Sequence, residues 1–563
     1  MGGPHRRALG YAVCMDPYEP PTPSHRWRPR FFDVLTALLI LAVLVAQLHF
    51  AFNDVRLPRD PGLYYKLLPS LYHAMSDPLV NAGELLGALV QSSGWYNLLL
   101  AAGVHLLGRG PLAFELACAG WVSLLLLGVA LVARHEGSPL AGFCAAALAA
   151  AMPMVIIMGR TPWIHIPEAA LAVIVLAAWQ RDRGLVRWRT VLFVGMGGVL
   201  TITLRHSGLI WLGAMAPMLL WTPTATRPWR RIAVVLACWA LAIVVPAMQL
   251  LEYLEAKMGA RDRYATQLPE FLEQLVSNLA WPTLLVCALG LVLLNIRRPS
   301  MPTGPIRPLL FMWLLAGGAL WSLFRAGLDN FTPMMAALAI LAGLGLARMG
   351  SWGMIPALFA FVVSTLPQWL EKDTVVVFHS IPGFPDFTAG VHPNNHYRPW
   401  QGFAHPQVRD LLEASCPSLP QAGCIIAVDQ GLFSPFTEDP GMLELFLMDL
   451  ERVNLLSLRD IGGLPRLETV HGMSSYYCPE RDAQWRERYP HSQALLKELM
   501  DGFELDAVWS TELFLGCTYL WMAPGGVLEN PEALPEAMSP ATPGPGGKNE
   551  RTPRGVEQDL IPR

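Results

Sequence analysis

Between Phe31 and Trp369 the chain returns again and again to apolar runs of roughly 17 to 25 residues. A helix rises about 1.5 Å per residue and a bilayer's hydrocarbon layer is about 30 Å thick, so these runs have the length of membrane crossings. Composition agrees: 53% of the 563 residues are hydrophobic and only 15% are charged, which describes a chain whose main solvent is lipid. The runs predict spans at 31–52, 112–133, 138–158, 166–180, 189–204, 209–221, 230–254, 275–295, 308–324, 331–347 and 352–369. The shorter ones are tolerable inside a bundle or beside a cavity. The fold class is an α-helical polytopic membrane protein with about eleven transmembrane helices.

The segment from Trp95 to Leu107 is also apolar, but thirteen helical residues reach only about 20 Å, so it is not counted. That choice is tested by the distribution of cations. Without it, Arg134, the cluster Arg181, Arg183, Arg187 and Arg189, then Arg227, Arg230, Arg231, Arg297, Arg298, Arg307 and Arg348 all fall on the side of the N-terminal tail. The positive-inside rule then predicts a cytoplasmic N-terminus, an extracytoplasmic C-terminal domain and a multi-pass protein of the inner, cytoplasmic membrane. Residues 1–30 read as a cytoplasmic tail followed by a retained first span, because the apolar run begins too late and extends too far for a cleaved signal peptide. Met15 is an alternative start to Met1. The formal charge of −3 supplies no basic excess for a nucleic-acid backbone.

Beyond the membrane domain, assigned to residues 31–369, the composition becomes that of a soluble domain over 370–523. Short β-like runs at 424–429, 506–510 and 517–523 alternate with Leu- and Glu-rich helical stretches, which predicts a small extracytoplasmic α/β domain. Residues 524–563 turn to Pro, Gly, Glu and Ser, a composition that buries too little surface to fold. Cys416, Cys424, Cys478 and Cys517 fall in the outer domain, where disulfides are permitted. Of three pairings, Cys416 with Cys424 and Cys478 with Cys517 is favoured by proximity. No Cys or His spacing suggests zinc.

The topology gathers a few ionisable residues on one face, where their cost makes them functional candidates. Asp60 follows the first span in NDVRLPRDPGLYYKLLPSLYHAM, with Tyr64 and Tyr65 and an amphipathic stretch after it. It suits a general base, while Asp-Pro-Gly equally makes a turn and the tyrosines equally make interface anchors. In MGRTPWIHIPEAAL, Arg160 suits a phosphate, and His165 or Glu168 suits a substrate hydroxyl; His165 as a structural donor and Glu168 as a helix cap are the alternatives. TLRHSGLIWL sets Arg205 and His206 at an outward break between two helices, either an anion site or an interfacial turn. LFRAGLDNFTPMMAAL sets Arg325 and Asp329 just outside, with snorkelling as the alternative for Arg325.

The order of these motifs resembles the GT-C class of membrane glycosyltransferases, near the protein O-mannosyltransferase and aminoarabinose-transferase branch, over roughly residues 31–369. An acidic residue in the first outward loop followed by paired aromatics is matched by Asp60, Tyr64 and Tyr65. SGWYNLLLAAGVHLLGRGPLAFEL is similar to the family's surface helix and aromatic-rich segment. GRTPWIHIPEAAL falls where the family has an Arg and an acid, with Glu168 in place of the commoner Asp. LRHSGLIWL is similar to its basic, small, Gly, Leu turn, and DNFTPMMAALAILAGLGL to its late motif, with Asp329 and Asn330 where an Arg before an aromatic is usual.

The resemblance implies a polyprenyl-phosphate-linked sugar as donor, transferred with inversion to an acceptor hydroxyl on a protein, lipid or polysaccharide at the outer face. Asp60 is expected to take the acceptor proton. Arg205, His206, Arg325 and Arg160 are expected on the donor phosphate, with Tyr64, Tyr65, His165, Glu168 and Asp329 positioning substrate. No Asp-x-Asp occurs in an outward membrane loop, so no cofactor and no catalytic metal are expected. The competing readings are a transporter or flippase of lipid-linked sugars and a catalytically inactive assembly subunit.

Overall fold

The computed structural model describes residues 31–53, 67–89, 91, 93–107, 110–159, 164–182, 185–205, 207–221, 229–243, 279–296, 306–324 and 332–366, and the strand residues 376–378, 387–389, 424–428, 453–457, 472–476, 506–513 and 516–522. Helices cover the predicted spans wherever those fall on described residues. They are α1 (Phe31–Asn53), α5 (Gly110–Glu136), α6 (Pro139–Ala150) with α7 (Pro153–Gly159), α8 (His165–Arg181), α9 (Trp188–Leu204), α10 (Gly208–Trp221), α11 (229–243), α12 (Trp281–Asn295), α13 (Ile306–Phe324), α14 (Thr332–Leu346) and α15 (Met354–Ser364). Three shorter helices, α2 (Leu68–Ala74), α3 (Ala82–Leu89) and α4 (Gly94–Leu107), lie between α1 and α5. By length and composition, three described stretches are sufficient to cross a membrane, Phe31–His49, Leu112–Glu136 and Thr332–Ser364. The last is divided at Gly350 (φ +65°, ψ −149°), a backbone conformation open to glycine, so it folds as α14, a 3₁₀ turn and α15.

Side-chain size sorts the helices between centre and rim. In α6 (PLAGFCAAALAA) every residue from Leu140 to Ala150 is buried, and α14 is buried along almost its whole length. The exposed surfaces of the bundle instead carry large apolar residues: Leu38, Leu41 and Val45 of α1, Leu192, Phe193 and Met196 of α9, and Leu285, Leu289 and Val292 of α12. Apolar burial does not drive helices together in lipid as it does in water, so close backbone packing through small residues must. A Cβ on Gly345 would lie 1.7 Å from Gly290 O, and one on Gly343 would lie 2.6 Å from Ala145 N. The glycines of α14 therefore let it press against α12 and α6 backbone to backbone.

Helix ends and breaks are satisfied locally. Ser138 caps α6, its Oγ accepting from Ala141 N at 3.2 Å, and Pro139 opens the first turn, where a missing N–H costs nothing. The span predicted over 138–158 is broken at Ala151–Met152 ahead of Pro153. Carbonyls freed there cannot be left bare in an apolar interior. Thr365 Oγ1 donates to Ala150 O and Thr283 Oγ1 to Ala151 O, both at 2.9 Å. Arg348 Nη1 donates to Leu293 O and Ile296 O at the end of α12, a favourable position for a cation at a helix C-terminus.

Helix α4 does not cross the bundle. At its start Ser93 donates its N–H to Thr203 O and its hydroxyl to Leu204 O, both at 2.7 Å, and Trp95 Nε1 donates to Leu200 O. These fix it to the C-terminal end of α9, beside Arg205. Its other end leads directly into α5, which runs parallel to α8 (a Cβ on Gly128 would meet Val173) and ends at Glu136 beside Gln180. Both ends of α4 therefore lie at the Arg205 end of the bundle. There Leu68, Leu71, Tyr96, Leu100, Val104 and Phe114 form a small core separate from the main one. The rings of Tyr72 and His105 stack at 4.4 Å, and His105 Nε2 donates to Tyr72 O. Leaving Trp95–Leu107 out of the spans agrees with this geometry.

The strands form a two-stranded antiparallel pair, β1 (Val376–Phe378) with β2 (Phe387–Ala389), and a five-stranded mixed sheet of β3 (Cys424–Val428), β4 (Val453–Ser457), β5 (Gly472–Tyr476), β6 (Asp506–Leu513) and β7 (Gly516–Met522). Its order is β4-β3-β5-β7-β6, with β3 parallel to β4 and β5, and β7 antiparallel to β5 and β6. Strands β3, β6 and β7 fall on the three predicted runs. The helical stretches expected between the strands, the residue 369/370 boundary, both terminal tails, Cys416 and Cys478 lie outside the described residues. Among the described residues Cys118, Cys144, Cys238 and Cys287 are free thiols.

Candidate functional site

Two chain breaks meet at the Arg205 end of the bundle. One precedes α8, whose first turn carries His165 and Glu168; the other separates α9 from α10 and carries Arg205 in extended conformation (φ −156°, ψ 144°). The second break is tight because a Cβ on Gly208 would lie 2.5 Å from Thr201 O, so α10 starts against the last turn of α9 only with glycine there. Arg205 is thereby aimed back at α8.

Its guanidinium lies 3.4 Å from Glu168 Oε2 and contacts His165 Nδ1 directly. Glu168 is 0% exposed and receives a second hydrogen bond on Oε1 from Trp211 Nε1 at 3.0 Å. Trp211 is itself immobilised: Trp313 Nε1 donates to Trp211 O at 3.0 Å and the two rings meet edge to face at 5.9 Å. The result is a charged carboxylate–guanidinium pair, with a histidine, sunk among apolar helices. Such a pair stabilises a fold poorly against its desolvation cost, so its presence calls for another use. Chemically, Glu168 neutralises and orients Arg205, and Arg205 together with His165 offers donors to an anion or to hydroxyl oxygens.

Of the residues expected at the site, the structure brings His165, Glu168 and Arg205 together from segments about forty positions apart. Asp60, Tyr64, Tyr65, Arg160, His206, Arg325 and Asp329 lie outside the described residues. Trp211 was not singled out from the sequence. Its signal was available, since it stands three residues into the helix that follows Gly208, on the turn that faces the break. No group of three or more His, Cys, Asp or Glu side chains that could hold a metal occurs among the described residues.

A different polar arrangement holds the opposite end. Arg134 Nη2 donates to Asp33 Oδ2 at 3.1 Å, while Glu136 is held by Gln180 Nε2 at 3.3 Å and by Arg307 at 3.7 Å. Arg231 donates to Leu185 O and Val186 O and lies over the Trp188 ring at 5.4 Å. These contacts tie the ends of α1, α5, α8, α9, α11 and α13 to one another.

No protein-family model matches the sequence, and no curated protein matches it. Solved structures do resemble it. The crystal structure of ArnT from Cupriavidus metallidurans bound to undecaprenyl phosphate superposes with a TM-score of 0.52 at 13% identity, over 88% of this chain and 98% of that one. Its apo state gives 0.49 at 13% identity over 87% and 97%. The archaeal oligosaccharyltransferase AglB from Archaeoglobus fulgidus, in complex with an inhibitory peptide and a dolichol-phosphate, gives 0.43 at 13% identity over 89% and 76%. The chain therefore shares the fold of the undecaprenyl-phosphate-bound ArnT structure.

Proposed function

We propose that this protein is a membrane glycosyltransferase that moves a sugar from a polyprenyl-phosphate donor to an acceptor hydroxyl at the outer face of the membrane. The observation that carries the reading is the buried Arg205–Glu168–His165 cluster at one end of a bundle with this fold. In this reading the Arg205 end is extracytoplasmic and the Arg134 end cytoplasmic. The bundle then makes eleven crossings and the α/β domain lies outside. The donor's polyprenyl tail lies in lipid and the acceptor in water, so the reaction needs a polar pocket at their boundary.

Arg205 and His206, with Arg325 and Arg160, hold the donor phosphate; Glu168 sets the direction of the Arg205 fork through their shared contact. Asp60 accepts the proton of the acceptor hydroxyl as its oxygen attacks the anomeric carbon from the face opposite the phosphate. The bond from that carbon to the phosphate oxygen breaks, its electron pair leaves with the phosphate, and the anomeric configuration inverts. The growing charge on the phosphate is met by guanidinium groups already in place, which is where preorganised electrostatics contributes most. Tyr64, Tyr65 and Asp329 position the two substrates, and no divalent ion takes part.

The test is transfer by the full-length protein in proteoliposomes, using a labelled polyprenyl-phosphate sugar and envelope extract as the source of acceptor. Free polyprenyl phosphate is the expected product. Intact lipid appearing on the opposite leaflet would identify a flippase instead. Asp60→Asn is expected to lower turnover by about 10² to 10⁴-fold, the usual contribution of a general base, while donor binding is retained. Near-normal transfer by that variant would refute the assignment.

A further inference from the structure

Gln47 lies in α1, is 1% exposed, and among the described residues neither its Oε1 nor its Nε2 meets a hydrogen-bonding partner. A bare amide inside an apolar bundle is costly, and a leucine or methionine of similar volume would serve a purely structural helix better. Such an exception to the pairing of buried polar groups points to something that binds there.

The position fits a ligand of the site above. Asp33, at the start of α1, pairs with Arg134; Gln47 comes fourteen residues later, about 21 Å along the helix. Glu168 reaches a similar height. Gly128 is six residues before Arg134 on α5 and abuts Val173, which is five residues after Glu168 on α8, about 17 Å in all. Gly159, the last residue of α7, sits beside Gln47: a Cβ there would lie 3.2 Å from Gln47 Nε2 and 2.4 Å from Val122 Cγ2. The amide thus borders the last residue of α7, six positions before His165 in the sequence.

The chemistry of the amide narrows the ligand. Nε2 only donates and Oε1 only accepts, so a group that satisfies both must carry an acceptor and a donor side by side. An ionised phosphate has acceptors alone and would leave Oε1 bare, and a polyprenyl chain has neither. Two neighbouring hydroxyls of a sugar ring have both. We propose that Gln47 grips a hydroxyl pair on the sugar of the donor and is a specificity-determining residue that separates the glycosylated lipid from the bare lipid phosphate left after transfer. This rests on the transferase reading given above.

The test measures binding by the full-length protein in nanodiscs of four lipids: undecaprenyl phosphate and its mannosyl, glucosyl and arabinosyl forms. The wild type is expected to prefer at least one glycosylated lipid over the bare one. Gln47→Leu should lower that preference on the order of 10 to 100-fold, the worth of two hydrogen bonds, with affinity for undecaprenyl phosphate kept within about two-fold. The same variant should raise the melting temperature of the ligand-free protein, because it removes two unmet polar atoms, so misfolding cannot imitate the result. The proposal is overturned if Gln47→Leu keeps the preference, as it would were the amide satisfied only by water, if both affinities fall in parallel, or if the wild type prefers none of the glycosylated forms. A wild type that binds none of the four lipids removes the transferase reading as well, whereas binding of bare lipid with an unaltered preference removes the role of Gln47 alone.

Discussion

Glu136 and Glu168 stand at opposite ends of the helix bundle, both nearly stripped of solvent, and they keep very different company. Glu136 closes α5 and is held by an amide and a guanidinium from α8 and α13, next to the Arg134–Asp33 pair. Every partner there comes from the end of a helix, and the neighbouring arginines satisfy carbonyls of the α8–α9 connector and of the last turn of α12. Glu168 instead sits in the first turn of a helix after a break, and its partners are a pinned tryptophan and an arginine in extended backbone at a second break, which also contacts a histidine. The first arrangement knots helix ends together. The second holds a charge in place where the chain is interrupted, which is where irregular backbone in a membrane protein is tolerated when it lines a cavity. Similar residue types thus brace helix ends at one end and meet at two chain breaks at the other.

The contrast breaks most readily at Arg205. Arg205→Ala leaves Glu168 buried without its counter-charge and is expected to destabilise the protein by about 3 to 5 kcal/mol and to abolish transfer. The double variant Arg205→Leu with Glu168→Leu should regain most of that stability in denaturation measurements, yet remain inactive. Recovery of activity along with stability would make the pair structural, and the two ends alike. Trp211→Phe should cost less, about 1.5 to 3 kcal/mol for a hydrogen bond to a charged group, and should lower transfer because Glu168 no longer holds Arg205 in one direction. The smallest effect belongs to the other end. Arg134→Gln is expected to cost about 0 to 1 kcal/mol, as partly exposed ion pairs do, with turnover within about two-fold of wild type by the assay used for Asp60. A large loss of transfer from Arg134→Gln would erase the distinction.

The helices were legible from run length. Spans of the right length fall on helices, and the arginine distribution was enough to keep Trp95–Leu107 out of the count, a choice that the hydrogen bonds of Ser93 support. What escaped was local. Residues 138–158 read as one apolar span because hydropathy does not register a missing N–H, although Pro153 marks the break, and the threonines that heal it come from more than a hundred residues away. Strands β4 (VNLLS) and β5 (GMSSY) lack the alternation or the apolar run that reveals a strand alone, and they are paired only through β3 and β7. Gln47 was passed over because one amide in LAVLVAQLHF scarcely lowers the mean hydropathy of its window.

The sequence by itself determined that helices must form, how long they must be and which connectors share a side, since these follow from the cost of bare backbone and of charge in hydrocarbon, paid residue by residue. It also supplied His165, Glu168 and Arg205 as separate candidates, each with an ordinary alternative. That the three touch, that Trp211 completes them and that Gln47 is left bare were decided only by tertiary structure. Hydrogen bonds act over about 3 Å, and which side chains come that close depends on how glycine-lined helices seat against one another, a relation between distant segments that no local window contains.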